Sequence, residues 1–297
     1  MIMKNIPVTY LVSQFPQPEK VRRSILHELA VNGVRNIVLG DAMISEIVRN
    51  PAFAQTLQKE AAAEGLNFMD SHAPFGKALD MNNPDAGGIV STAQKLHLHI
   101  AAMFGIKTMT IHVGNNYYFQ DASLEVQRDR ICRRLEKLLP VAEELGIIIC
   151  IENVWFKINT PEQLLFIKEH FPSDNLGFCF DSGHANIMQH GHKFPEGIAR
   201  TSWDKDNSGE PSWDDRVLEK MLPYIVNCHL HDNDGITDYH TIPGRGNVDW
   251  KNILPMLLKA PRLQVLQSEV QMFRNGLSIK ETVESFEHVF SELEIEK

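Results

Sequence analysis

Short runs of apolar and β-branched residues alternate along the chain with longer stretches whose apolar positions recur every three or four residues. The short runs predict strands over 8–12, 36–39, 67–72, 108–113, 147–152, 176–181, 225–231 and 264–270. The longer stretches predict helices over 18–32, 42–64, 86–104, 123–145, 160–170, 213–221, 250–258 and 278–295. Gly33, Gly65, Gly105 and Gly146 stand where helices should end, and Pro161 beside Thr160 stands where one should start. Eight strand-helix units in series, with no shift in composition and no low-complexity linker, predict one α/β domain over 1–297. The expected fold is a closed (β/α)8 TIM barrel, preferred to two open sheets. The stretch 190–213 is too long for an ordinary strand-to-helix loop and reads as an insertion, a lid or an interface loop.

Composition narrows the function classes. The 297 residues are 43% hydrophobic and 23% charged, which excludes disorder, collagen and coiled coil. The apolar runs fall far short of the roughly 18 residues that a membrane helix needs, so no span is expected. Lys4 precedes only a short run broken by Pro7 and Thr9, so no secretory signal is expected and a cytoplasmic location follows. A net charge of −9 disfavours nucleic acid as a partner. Cys132, Cys150, Cys179 and Cys228 are widely spaced and read as buried reduced thiols.

The chemistry gathers at the C-terminal ends of the strands, where a barrel of this class builds its site. His72 ends the third strand, His112 the fourth, Glu152 the fifth and Asp181 the sixth, with His184 just after it. His229 belongs to the seventh strand, Glu269 to the eighth, and Asp238 and His240 follow the seventh. Any one of these could be an ordinary hydrogen-bonded residue, but burying so many carboxylates at one rim without a cation is costly. Glu152, Asp181, His229 and Glu269 offer three carboxylates and one imidazole from four successive strands, a set suited to Mn²⁺, Mg²⁺, Co²⁺ or Zn²⁺. Glu152 and Glu269 should face each other across the ring with the ion between them, able to address both faces of a bound molecule. Alternation along a strand puts Cys150 beneath Glu152 and Cys179 beneath Asp181 as core fillers.

These residues sit in an ordered series of motifs: HAP at 72–74, HVG at 112–114, IEN at 151–153 and DSGH at 181–184. HLHDND at 229–234, the D-x-H of Asp238 and His240, PGRGNVDW and SEV at 268–270 complete it. The series spans nearly the whole chain and resembles the xylose-isomerase-like TIM barrels. That group includes sugar and sugar-phosphate isomerases, ketose 3-epimerases, inosose dehydratases and abasic-site nucleases of the endonuclease IV type. The resemblance implies one divalent ion on Glu152, Asp181, His229 and Glu269, with the two glutamates doubling as proton carriers next to a substrate carbonyl. It implies that His184 binds a substrate oxygen. In the trinuclear-zinc nucleases, residues matching His72, His112 and Glu152 bind one zinc and those matching His184, Asp238 and His240 another. A phosphodiesterase with up to three zinc ions, or a dehydratase-like lyase, therefore stands beside the sugar isomerase or epimerase. The words DSGHAN, HLHDND and PGRGNVDW favour the isomerase branch and a small carbohydrate as partner.

Some ketose epimerases place an arginine shortly after the seventh-strand histidine, where this chain continues through His231, Asp232 and Asn233, so their substrate contacts do not transfer. Arg245 is a candidate for a substrate phosphate, with a solvated loop arginine as the alternative, and Lys77 is a weaker one. Helical positions give His27, His97, His99, His170 and His288 solvent-facing or capping roles, while His190 and His192 fall in the insertion. Trp203 and Trp213 are assigned to a subunit contact, which a homo-oligomer would supply, or to a cap on the sugar's apolar face.

Overall fold

A computed structural model describes residues 6–12, 18–85, 88–189, 196–205 and 208–295. Eight strands close into a parallel barrel: β1 (Val8–Tyr10), β2 (Asn36–Leu39), β3 (Asn67–His72), β4 (Thr108–Ile111), β5 (Ile148–Glu152), β6 (Leu176–Asp181), β7 (Ile225–Leu230) and β8 (Leu266–Ser268). Each strand pairs with its neighbours in sequence, and β8 returns to β1 through Val8 opposite Leu266 and Tyr10 opposite Ser268. Register places Glu152 opposite Cys179 and Asp181 opposite His229, which fixes the heights of the rim side chains. The strands are buried on both faces, and Ile37, Leu39, Ile149, Ile151, Phe178, Phe180 and Ile225 pack with the helices into one continuous apolar core. No helix among the described residues is long and apolar enough to cross a membrane.

The helices depart from the pattern in four places. The single helix expected over 42–64 is two, Asp41–Arg49 and Ala52–Ala63, because Pro51 disfavours the helical conformation at Asn50, which adopts φ −138° and ψ 85°. The helix expected over 213–221 is only Val217–Met221, since Asp214 N donates back to Met188 O and Asp214 Oδ1 accepts from Arg216 N. A helix absent from the pattern, Ser182–Met188, starts directly at the end of β6, capped by the Asp181 carboxylate. Within the stretch expected as an insertion, residues 190–195 and 206–207 lie outside the described residues, and Ile198–Lys205 forms a helix. Trp203 on that helix is fully enclosed by its own chain and donates from Nε1 to Trp155 O at 2.7 Å, so it makes no subunit contact. Trp203 belongs to a second apolar cluster with Val154, Trp155, Ile187, Met188 and Ala199, and Trp213, half-buried, packs against it.

Candidate metal centre

A cavity of about 490 Å³ opens at the C-terminal ends of the strands. At its floor, His229 Nδ1 lies 3.0 Å from Glu152 Oε1, 3.3 Å from Glu269 Oε2 and 3.8 Å from Asp181 Oδ2. Candidate ligand atoms of these four residues all lie within 4.8 Å of one another. Asp181 is locked by Asn153, which accepts from Asp181 N at 2.8 Å and donates to Asp181 O at 3.0 Å. Beneath the floor, Cys150, Cys179 and Val226 form a small buried cluster, the layer that alternation predicts. Asn227 donates to Thr110 Oγ1 and to Asp70 Oδ2, both at 2.9 Å, and Thr110 Oγ1 stands 3.3 Å from His229 Nε2. The ring of His229 is therefore held from below with Nδ1 turned to the carboxylates.

Two further groups flank this floor. On one side His112 Nε2 and His72 Nε2 approach Glu152 Oε2 at 2.8 and 3.8 Å. On the other, His184, His231, Asp238 and His240 bring their ligand atoms together. Asp238 Oδ2 faces His240 Nε2 at 2.9 Å and His184 Nε2 at 3.7 Å, while the rings of His231 and His240 stack at 3.8 Å. Three imidazoles point Nδ1 at a backbone carbonyl, each at 2.9 Å: His72 at Ala73 O, His184 at Asn153 O and His240 at Glu269 O. A carbonyl only accepts, so each Nδ1 carries the proton and each Nε2 faces the site. His240 reaches its place with φ 50°, the one left-handed non-glycine among the described residues.

Burial disfavours charge here, but the partners outweigh it. Burial lowers His240, yet the Asp238 hydrogen bond and charge, with Glu269 and Asp181, lift it to about 9. Burial likewise opposes charging His184, and Asp181 and Asp238 raise it well above its ordinary value. Burial raises Glu269, while His229 and His240 pull it down to about 2; burial also opposes the charge on Glu152, and His229 and His112 hold it well below its ordinary value. The donor set fits a divalent cation. Glu152 Oε2 and Asp238 Oδ1 are buried without a hydrogen-bond partner, and Glu152 Oε2 does so at 2.8 Å from His112 Nε2. Four protein ligand atoms within 4.8 Å of one another, with carboxylate oxygens left over after the histidine hydrogen bonds, can close on one ion, and the mixture of nitrogen and oxygen suits Zn²⁺, Mn²⁺ or Co²⁺.

All nine rim residues singled out in the sequence converge on this floor and its flanks. Arg245 does not join them: it is half-exposed and pairs with Glu281 at 3.4 Å, so the phosphate role considered for it has no geometric basis. Lys77 lies near the Phe119 ring and does not line the cavity either. His97 is neither solvent-facing nor capping, being buried with its pKa pushed down to about 4. Three residues were missed. His231 is fully buried and bonds Asp181 Oδ2 at 3.1 Å, and its position two residues after His229 on one strand face was the available signal. Trp155 stands edge-on to the His184 ring and walls the cavity. Asp80, in the loop after β3, lines the cavity as well.

The family model described as xylose isomerase-like TIM barrel matches residues 30–286. The uncharacterized protein MJ1311 of Methanocaldococcus jannaschii is 29% identical over 167 residues, covering 55% of this chain and 50% of that protein. The chain spans about half the length of the curated relatives it matches. Among solved structures, a D-tagatose 3-epimerase-like protein superposes with a TM-score of 0.72 at 21% identity, covering 98% of each chain. The IOLI protein with a binding zinc atom superposes at 0.66 with 18% identity, covering 97% of each. At these identities the structures establish the shared fold.

Proposed function

Since the chain belongs to the xylose isomerase-like TIM barrel family, we propose that it is a divalent-metal-dependent sugar isomerase or epimerase. One observation carries the reading: Glu152 and Glu269, from β5 and beyond β8, both face His229 Nδ1, at 3.0 and 3.3 Å, at the floor of a cavity large enough for a monosaccharide. A divalent ion held by Glu152, Asp181, His229 and Glu269 would supply a fixed positive charge that acidifies a carbon next to a carbonyl and balances the resulting enediolate. One glutamate takes the proton. A second proton delivered on the opposite face by the other glutamate, which must enter the complex protonated, inverts the carbon and leaves the first glutamate protonated, whereas return of the abstracted proton to the neighbouring carbon exchanges aldose and ketose. His184, with Nδ1 committed to Asn153 O, presents Nε2 to a substrate oxygen. Trp155, edge-on to that ring, gives an apolar wall for the C–H face of a sugar and keeps water from the carbanion.

The test is exchange of the substrate C–H with deuterated solvent, over a panel of ketoses and aldoses and with Mn²⁺, Co²⁺, Zn²⁺ or Mg²⁺ added. Glu269→Gln should keep the fold and lose exchange by at least about a hundredfold, the scale of one general base. Exchange that is unchanged in this variant removes Glu269 as a proton carrier. Exchange followed by loss of a β-hydroxyl would mark a dehydratase. The flanking groups of His72, His112 and Glu152 and of His184, His231, Asp238 and His240 favour a second reading, a trinuclear phosphodiesterase. It requires about three ions per chain and cleavage of abasic-site duplex DNA.

A further inference from the structure

The rim of the barrel gathers backbone N–H groups of the kind that bind phosphate, and carboxylates of the chain already accept from them. In barrels of this class a phosphate commonly sits between the loops after the seventh and eighth strands. Here the loop after the seventh strand is closed from within: the Asp232 carboxylate accepts from Gly244 N at 2.8 Å, Asn233 N at 2.9 Å, and Val248 N and Trp250 Nε1 at 3.0 Å. Asp181 accepts from His184 N at 2.6 Å, and Asp85 from Val90 N at 3.0 Å. The helix Asp41–Arg49 turns its N-terminal end to the cavity, where its dipole would welcome an anion, but its first turn carries Asp41. Arg245 faces Glu281 rather than the cavity.

The lining itself has the same sign. Asp41 and Asp80 join Glu152, Asp238 and Glu269 around the space, balanced only by histidines, and no lysine or arginine lines it among the described residues. Asp41 follows β2 and Asp80 follows β3, across the ring from β6 and β7. A sugar held at the metal centre by its carbonyl end therefore extends its other end toward two carboxylates. A hydroxyl there donates a hydrogen bond, whereas a phosphate has only acceptors and two negative charges to offer.

Resting on the function proposed above, we propose that the substrate is an uncharged, unphosphorylated sugar, and that Asp41 and Asp80 are the residues that select its distal hydroxyls against a phosphate. Isothermal titration of the metal-loaded full chain at fixed ionic strength and at pH 8.5, above the value of about 7 at which Asp80 ionises, tests this with three matched pairs. The pairs are D-fructose and its 6-phosphate, D-ribulose and its 5-phosphate, and D-glucose and its 6-phosphate. At least one free sugar should bind, and should do so tenfold or more tighter than its phosphate. The Asp41 side chain makes no hydrogen bond or ion pair among the described residues, so Asp41→Asn should fold normally and narrow that gap about threefold or more. Asp80→Asn should narrow it too. A phosphate ester that binds as tightly as its free partner overturns the inference, as does a series in which no free sugar binds, or a gap indifferent to both substitutions. Because only binding is read, a barrel that prefers free sugars yet exchanges no proton would defeat the proposed function and leave this inference standing. Exchange on a sugar phosphate would do the reverse.

Discussion

Replacing Gly183 by alanine puts a methyl group where the His231 ring stands. The added Cβ would overlap His231 Cε1 and lie 2.6 and 2.7 Å from Nδ1 and Nε2, well inside van der Waals contact. The ring cannot yield cheaply, because it is fully buried, stacks on His240 at 3.8 Å and bonds Asp181 at 3.1 Å. Opposing effects can be weighed. Alanine is worth about 1 kcal/mol over glycine inside a helix such as Ser182–Met188. Against it, overpacking a filled core costs about 1–3 kcal/mol. Losing a hydrogen bond to a buried carboxylate costs about 1.5–3 kcal/mol more. The net is a destabilisation of roughly 2–5 kcal/mol, read as a lower urea midpoint at unchanged slope. The same displacement moves Asp181 and His240, so affinity for Zn²⁺ or Co²⁺ should fall in parallel. A Gly183→Ala protein as stable as the native one, with native metal affinity, would refute the claim that glycine is there to make room for His231.

Two further outcomes are expected. Thr110→Val keeps the shape but removes the hydroxyl 3.3 Å from His229 Nε2, so competitive chelator titration should find metal affinity reduced about 10–100-fold with little loss of fold, and unchanged affinity would remove Thr110 as a positioning residue. Asp80 is raised to about 7 by burial, against the backbone N–H groups of Asn82 and Asn115. Its folded pKa exceeds its unfolded one, so its contribution is present at low pH and is lost as pH rises from about 4 to about 7. Relative to the native protein, Asp80→Asn should gain stability between pH 5 and pH 8, by up to about 4 kcal/mol, in paired urea unfolding curves; parallel pH profiles for the two would count against a buried, proton-retaining Asp80.

The barrel was legible because strands buried on both faces leave unbroken apolar runs, and each of the eight expected strands overlaps an observed one. The expected ends ran too far where the rim opens. Thr108–Ile111 stops before His112, and Leu266–Ser268 before Glu269, because these side chains leave the ladder to face the cavity. The break at Pro51 was written in the sequence, yet the apolar period continued across it and masked the turn. The helix Ser182–Met188 was hidden for a different reason. Asp181 serves there as the last residue of a strand, as a helix cap and as a candidate ligand, and Ser182 and Gly183 after it carry no helical period.

The candidate site shows where sequence reasoning stops. Residue type and strand position were enough to bring His72, His112, Glu152, Asp181, His184, His229, Asp238, His240 and Glu269 to one rim, because a parallel barrel collects every strand end on one face. Which nitrogen each histidine presents was beyond reach, since that depends on carbonyls such as Asn153 O and Glu269 O that only the folded backbone supplies. Arg245 illustrates the same limit from the other side. Its charge suggested a phosphate, but the segment that carries it is drawn inward by three hydrogen bonds to Asp232, from Gly244, Val248 and Trp250, leaving the arginine to face Glu281 at the surface. Sequence shows which charges a chain owns; the hydrogen bonds that orient a loop decide which of them a ligand will meet.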